Sequence, residues 1–80
     1  MTRIVFPDHL ASRTGGIREL DLSVADFREL LVELERRFPD AGPAFRRSAV
    51  AIDGQIYQDA FLEPLAATSE VFFMQRIEGG

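Results

Sequence analysis

Only one stretch of this sequence, Val24 to Phe38, carries a helical stripe. Its apolar residues Val24, Phe27, Leu30, Leu31, Leu34 and Phe38 recur at three- and four-residue steps, which is one face of an amphipathic helix. Arg28, Glu29, Glu33, Glu35 and Arg36 fill the other positions. Ser23 stands ahead of the stripe as a good N-cap, with Asp26 three residues on as a weaker capping box. Arg36 and Arg37 fall in the last turn, where they complement the helix dipole, and Pro39 ends the helix. A chain of 80 residues is one small domain that buries about 60% of its unfolded surface. A lone amphipathic helix in such a chain must lay its stripe on something else, and the remaining apolar runs are all short and strand-like.

"TRIVF" (Thr2 to Phe6) is a β-branched and aromatic run stopped by Pro7, and reads as a first strand. After the polar loop "PDHLASRTGG", whose glycine pair marks a turn, "IRELDL" (Ile17 to Leu22) alternates as a half-buried second strand. Beyond the helix come the turn-rich "PDAGP" and a short helical turn in "AFRR". "SAVAIDG" (Ser48 to Gly54) is a third strand running into an Asp-Gly turn, and "QIY" (Gln55 to Tyr57) continues on the other side as a hairpin. "EVFFMQRI" (Glu70 to Ile77) is the last strand. The helix must cover one face of the resulting sheet, and a hairpin followed by a right-handed crossover sets the last strand parallel to the first in the middle of that sheet. The expected class is α+β, a β-grasp (ubiquitin-like) fold: a mixed sheet of four to five strands with one main helix packed on one face. The domain is expected over residues 1–76, with 77–80 as a flexible tail.

The totals remove several function classes. With no cysteine there is no disulfide, thiolate metal site or cysteine nucleophile. A net charge of −4 argues against nucleic acid as a partner, since phosphate binding needs a basic stripe. "MTRIVFPDHL" holds no apolar run long enough for a signal peptide or a membrane span, so a cytoplasmic protein is the default. All nine basic residues are arginine; the chain has no side-chain amine for isopeptide or Schiff-base chemistry.

Several segments together carry a resemblance. "LASRTGG", "LSVADFRELLVELERRFP", "VAIDGQIY" and "EVFFMQRIEGG" resemble, in order and spacing, the first loop, helix, hairpin and last strand of the small sulfur carriers of the MoaD/ThiS type. The length is nearest to the molybdopterin synthase small-subunit type, although Gln75, Arg76 and Glu78 stand where that type often has prolines and a small residue. The resemblance implies that an ATP-dependent, E1-like activating enzyme adenylates the Gly80 carboxylate, that a sulfur donor converts it to a thiocarboxylate, and that a sulfur-accepting synthase subunit receives the sulfur. The carrier itself binds no cofactor stably; ATP is used by the activating enzyme. Gly79 and Gly80 suit this chemistry because glycine, without a Cβ, makes the thinnest tail, and a bulky side chain at Gly80 would misplace the reacting carbon. The bland alternative is an ordinary loose end.

Strand alternation sorts the remaining candidates. Ile4, Phe6, Val50, Ile52, Val71 and Phe73 share the face under the helix with Phe27, Leu31 and Leu34. The opposite face then shows Val5, Ala49, Ala51, Phe72 and Met74, an apolar patch of the kind that marks a protein–protein site, unless a loop or a second copy covers it. Phe72, Met74 and Val5 are the expected partner anchors, with Arg76 and Ile77 beside the tail. Glu63, Glu70 and Glu78 either fringe the tail side with acid or serve solubility. His9 reads as a solvated loop residue, and the turn fully accounts for Asp53. Three functions stay open: the sulfur carrier, a protein modifier conjugated through Gly80, and a binding module whose tail is never activated.

Overall fold

A computed structural model describes residues 1–76. The expected tail residues Ile77, Glu78, Gly79 and Gly80 lie outside the described residues. β1 (Thr2–Val5) pairs antiparallel with β2 (Glu19–Leu22), Arg3 facing Asp21 and Val5 facing Glu19. β5 (Glu70–Met74) enters between β1 and β3 (Ala49–Ile52), parallel to the first and antiparallel to the second, and β4 (Gln55–Tyr57) closes the far edge. The strand order is therefore β2-β1-β5-β3-β4. This is the expected β-grasp arrangement, with five strands and the last strand central and parallel to the first.

The loop expected after β1 is partly helical. Pro7 caps a one-turn helix, α1 (Asp8–Ala11), whose Leu10 and Ala11 are buried. A segment this short shows no periodicity, and proline at a helix start is compatible with it because the first turn needs no N–H partner. His9, expected in an irregular loop, is thus helical and half-buried. Asp8 pairs with Arg18.

The main helix, α2, runs Phe27–Arg37 and starts three residues later than expected. Its N-cap is Asp26, whose Oδ1 accepts from the Glu29 N–H at 2.7 Å; Ser23 is not the cap. The reason is tertiary. The chain ahead of the helix is held extended against the loop before β5: Phe27 N–H donates to Glu63 O at 3.0 Å, and Leu65 N–H to Ala25 O at 2.9 Å. Those bonds take up the groups that a helix beginning at Val24 would use. After α2 a 3-10 turn (Pro39–Ala41) leads into α3 (Gly42–Arg47), longer than the expected turn at "AFRR". A bidentate pair, Arg46 Nε and a terminal nitrogen to the two Glu35 oxygens at 2.6 and 2.9 Å, ties α3 to α2.

Every residue assigned to the covered face is in the core: Ile4, Phe6, Val50, Ile52, Val71 and Phe73 pack with Phe27, Leu30, Leu31 and Leu34. Phe6, Phe45 and Phe73 form a three-ring cluster with centroids 5.6–5.8 Å apart. Such pairs add about 0.5–1.5 kcal/mol each beyond burial. The cluster joins the residue after β1, α3 and β5.

Candidate functional site

Strand register aligns the side chains on the face away from α2. Glu19, Val5, Phe72, Ala51 and Ile56 fall on one row across all five strands, because Val5 faces both Glu19 and Phe72, and Ala51 faces both Phe72 and Ile56. The neighbouring row toward the start of β5 is charged, with Asp21, Arg3 and Glu70 aligned. Toward its end, Met74 faces Ala49. The face thus carries an apolar stripe with a charged border on one side.

Phe72 is 44% exposed and Ile56 62%, while Val5, Ala51 and Met74 are half-buried. The expected patch is present, with two changes. Ala49, assigned to the exposed set, is only 2% exposed; an alanine methyl is short enough to be shaded by the larger Met74 opposite it. Ile56 belongs to the patch and was missed. Its alternation with Tyr57, which packs on the core, was the available signal.

β5 is positioned by a polar latch at its first residue. Asp53 and Gly54 both have positive φ, 50° and 86°, as a type I′ hairpin turn requires. The turn does not fully account for Asp53, contrary to expectation. Its Oδ1 accepts from the Glu70 N–H at 2.9 Å and its Oδ2 from the Ser69 hydroxyl at 3.0 Å, while its own N–H donates to Glu70 O at 3.0 Å. Ser69 Oγ in turn accepts from the Ala66 N–H at 2.9 Å, and the buried Thr2 hydroxyl donates to Ala66 O at 2.9 Å. The entry of β5 is therefore bonded to both of its neighbours, through residues remote in sequence.

At the other end of β5, the Arg76 guanidinium donates to the Gln58 carbonyl, holding the segment after the strand against the β4 side. Arg76 is exposed, as a contact residue must be, yet one of its nitrogens is already engaged. Glu70 lies at the start of β5, the opposite end of the strand from Gln75 and Arg76, and Glu63 lies beside the N-terminus of α2 with its carboxylate toward Tyr57. Glu78 lies outside the described residues, as do Ile77, Gly79 and Gly80.

No chemical centre competes with this surface among the described residues. No group of His, Asp and Glu side chains there could hold a metal ion, and no helix there is long and apolar enough to cross a membrane. A cavity of about 240 Å³ between α2, α3 and β4 is lined by Phe27, Leu31, Phe45, Tyr57 and Phe61. The Tyr57 phenol at its wall is pushed above its ordinary value, first by partial desolvation and then by the Glu63 carboxylate, so it stays protonated and is no base.

No protein-family model matches the sequence, and no curated protein matches it. Several solved structures share its architecture. A chain of the Amycolatopsis orientalis BexX/CysO complex superposes with a TM-score of 0.83 at 15% identity, covering 100% of both chains. Mycobacterium tuberculosis CysO gives 0.81 at 12% identity over 96% of this chain and 100% of that one. The small archaeal modifier protein 1 (SAMP1) of Haloferax volcanii gives 0.77 at 20% identity over 99% and 98%. At these identities the likeness establishes the fold: over essentially its whole length, the chain shares the ubiquitin-like β-grasp architecture of these small proteins.

Proposed function

We propose that this protein is a sulfur carrier, with the Gly80 carboxylate as the group that carries sulfur. A carboxylate oxygen attacks the α-phosphorus of ATP on an E1-like activating enzyme, and pyrophosphate leaves. Hydrosulfide from the sulfur donor then displaces AMP from the acyl-adenylate, so that one oxygen of the carboxylate is replaced by sulfur and a proton is released. The thiocarboxylate sulfur then bonds to the acceptor held by a synthase subunit, and water hydrolyses the acyl–sulfur bond, leaving the sulfur on the acceptor and returning the Gly80 carboxylate. The carrier contributes no catalytic side chain; it presents the tail. Molybdopterin synthase is the acceptor that the MoaD/ThiS resemblance implies first.

The observation that best supports this reading is the place of β5. The strand that continues into Ile77-Glu78-Gly79-Gly80 is the central one of the sheet, latched at its start by Asp53, and it carries Phe72 on the open apolar row. A partner seated on Phe72, Met74 and Val5 has the chain's last residues leading off the same strand. The reading requires Gly80 to be a free end. Incubation with ATP, an activating enzyme and a sulfur donor, followed by intact mass measurement, tests it: the gain should equal one oxygen exchanged for sulfur and should vanish when Gly80 is deleted.

The fold shared with proteins named small archaeal modifiers supports a second reading, in which Gly80 is joined to amines on target proteins. Covalent adducts of higher mass in cells, in place of the sulfur exchange, favour it. With no lysine in the sequence, neither reading allows self-linked side-chain polymers.

A further inference from the structure

The end of the sheet that leads into the tail is cationic, in a protein that is acidic as a whole. Because β1 and β5 run parallel and β3 runs against them, the C-terminal ends of β1 and β5 meet the N-terminal end of β3. Three otherwise distant segments therefore converge there. α1 and the turn after it bring His9 and Arg13, the end of α3 brings Arg47 and Ser48, and the residues after β5 bring Gln75 and Arg76. Together they line an open groove of about 420 Å³ that holds no carboxylate among its lining residues.

The distribution of arginines singles this groove out. Of the nine arginines, Arg3, Arg18, Arg36, Arg37 and Arg46 pair with carboxylates of the described residues. Of the remaining four, Arg13, Arg47 and Arg76 line this groove and only Arg28 lies elsewhere. Like charges converging with no acid of the described residues lining the groove repel one another, so the arrangement favours an incoming anion. Arg76 gives one terminal nitrogen to Gln58 O; a guanidinium has five N–H donors, so that bond uses only a part of them.

We propose that this groove docks an acidic segment, rich in Asp and Glu side chains, of the partner protein that receives the tail. Guanidinium groups match carboxylates two bonds at a time, and the Gln75 amide can add a donor. The rest of the surface, with its excess of carboxylates, repels an acidic partner, so such a partner is drawn to one end of the molecule only. Steering of this kind sets orientation and association rate more than final affinity. It brings the partner over the end of β5, next to the apolar row. The identity of the occupant as the tail-receiving partner rests on the sulfur-carrier reading; the acid-binding property of the groove does not.

The test is titration of the whole protein with a short oligoglutamate peptide, followed by NMR of the arginine Nε–Hε signals. The signals of Arg13, Arg47 and Arg76 should move together and that of Arg28 should not. Arg13→Gln and Arg47→Gln, both at exposed positions, should each weaken binding about two- to fivefold at low salt, and added salt should abolish it. Arg28→Gln should leave it unchanged, and so should deletion of Gly80. Failure of the sulfur exchange with peptide binding intact would therefore count against the carrier reading and not against the groove. The proposal is overturned if the peptide moves none of the three signals, or moves Arg28 equally. It is also overturned if inorganic phosphate or ATP saturates the same signals at lower concentration, which would make the groove a phosphate site.

Discussion

Replacing Asp53 with alanine should destabilise the protein by about 3 kcal/mol. The side chain accepts from the Glu70 N–H at 2.9 Å and from the Ser69 hydroxyl at 3.0 Å. Both bonds are partly solvated, so each is worth roughly 1 kcal/mol, that of an ordinary hydrogen bond and below the range for bonds to a fully buried charged acceptor. Position 53 also holds φ at 50°, which aspartate and asparagine tolerate and alanine does not, at roughly 1 kcal/mol more. A domain of this length has on the order of 4–12 kcal/mol in total, so the loss is a large share. Asp53→Asn keeps the backbone preference and one acceptor, and should cost only about 1 kcal/mol. Urea unfolding of wild type, Asp53→Ala, Asp53→Asn, Ser69→Ala and the Asp53→Ala/Ser69→Ala double variant measures all of this. The midpoint should shift at constant slope, and the cycle should give a coupling of about 1 kcal/mol. An Asp53→Ala variant within about 0.5 kcal/mol of wild type, or a strictly additive double variant, would refute the latch.

Three further outcomes follow from the same geometry. Asp26→Ala should cost about 1 kcal/mol and Ser23→Ala less than half of that, by chemical denaturation, because only Asp26 caps α2. Phe72→Ser should leave the melting temperature nearly unchanged and abolish partner binding in a pull-down, whereas Phe73→Ala, at a position only 3% exposed, should cost about 3–5 kcal/mol. Arg46 holds the Glu35 carboxyl below its ordinary value of 4.5, chiefly through their hydrogen bonds. A depressed folded-state value stabilises above that pH and is lost as pH falls through the lowered one. Arg46→Gln should therefore melt below wild type at neutral pH, and the two should converge as the pH falls below 4.5 and through the lowered value of Glu35.

The helix stripe and the alternation of the strands were legible because both are local periodicities. They placed Ile4, Phe6, Val50, Ile52, Val71 and Phe73 in the core, and Phe72 and Val5 on the open face. The Asp-Gly hairpin was legible for the same reason: two adjacent residues determine a turn. What escaped depends on contacts between distant parts of the chain. Ser23 and Asp26 are equally good N-caps by residue type, and the bonds from Phe27 to Glu63 and from Leu65 to Ala25 set the start of α2 at Asp26, whose own Asp-x-x-Glu spacing to Glu29 is the local signal for it. Asp53 reads locally as a turn residue because nothing in the nearby sequence shows that Ser69 and Glu70 come to meet it. The arginines could be counted from the sequence, but only the parallel pairing of β1 with β5 brings Arg13, Arg47 and Arg76 to one groove.

Whether sulfur is carried on Gly80 can be read from tandem mass spectrometry of the C-terminal peptide of protein isolated from its own cells. The expected result is a peptide that ends at Gly80, part of it with one oxygen replaced by sulfur, the substitution mapping to the terminal residue and disappearing when the activating enzyme is removed. A peptide that continues beyond Gly80, or that carries only an unmodified carboxylate with and without that enzyme, would contradict it.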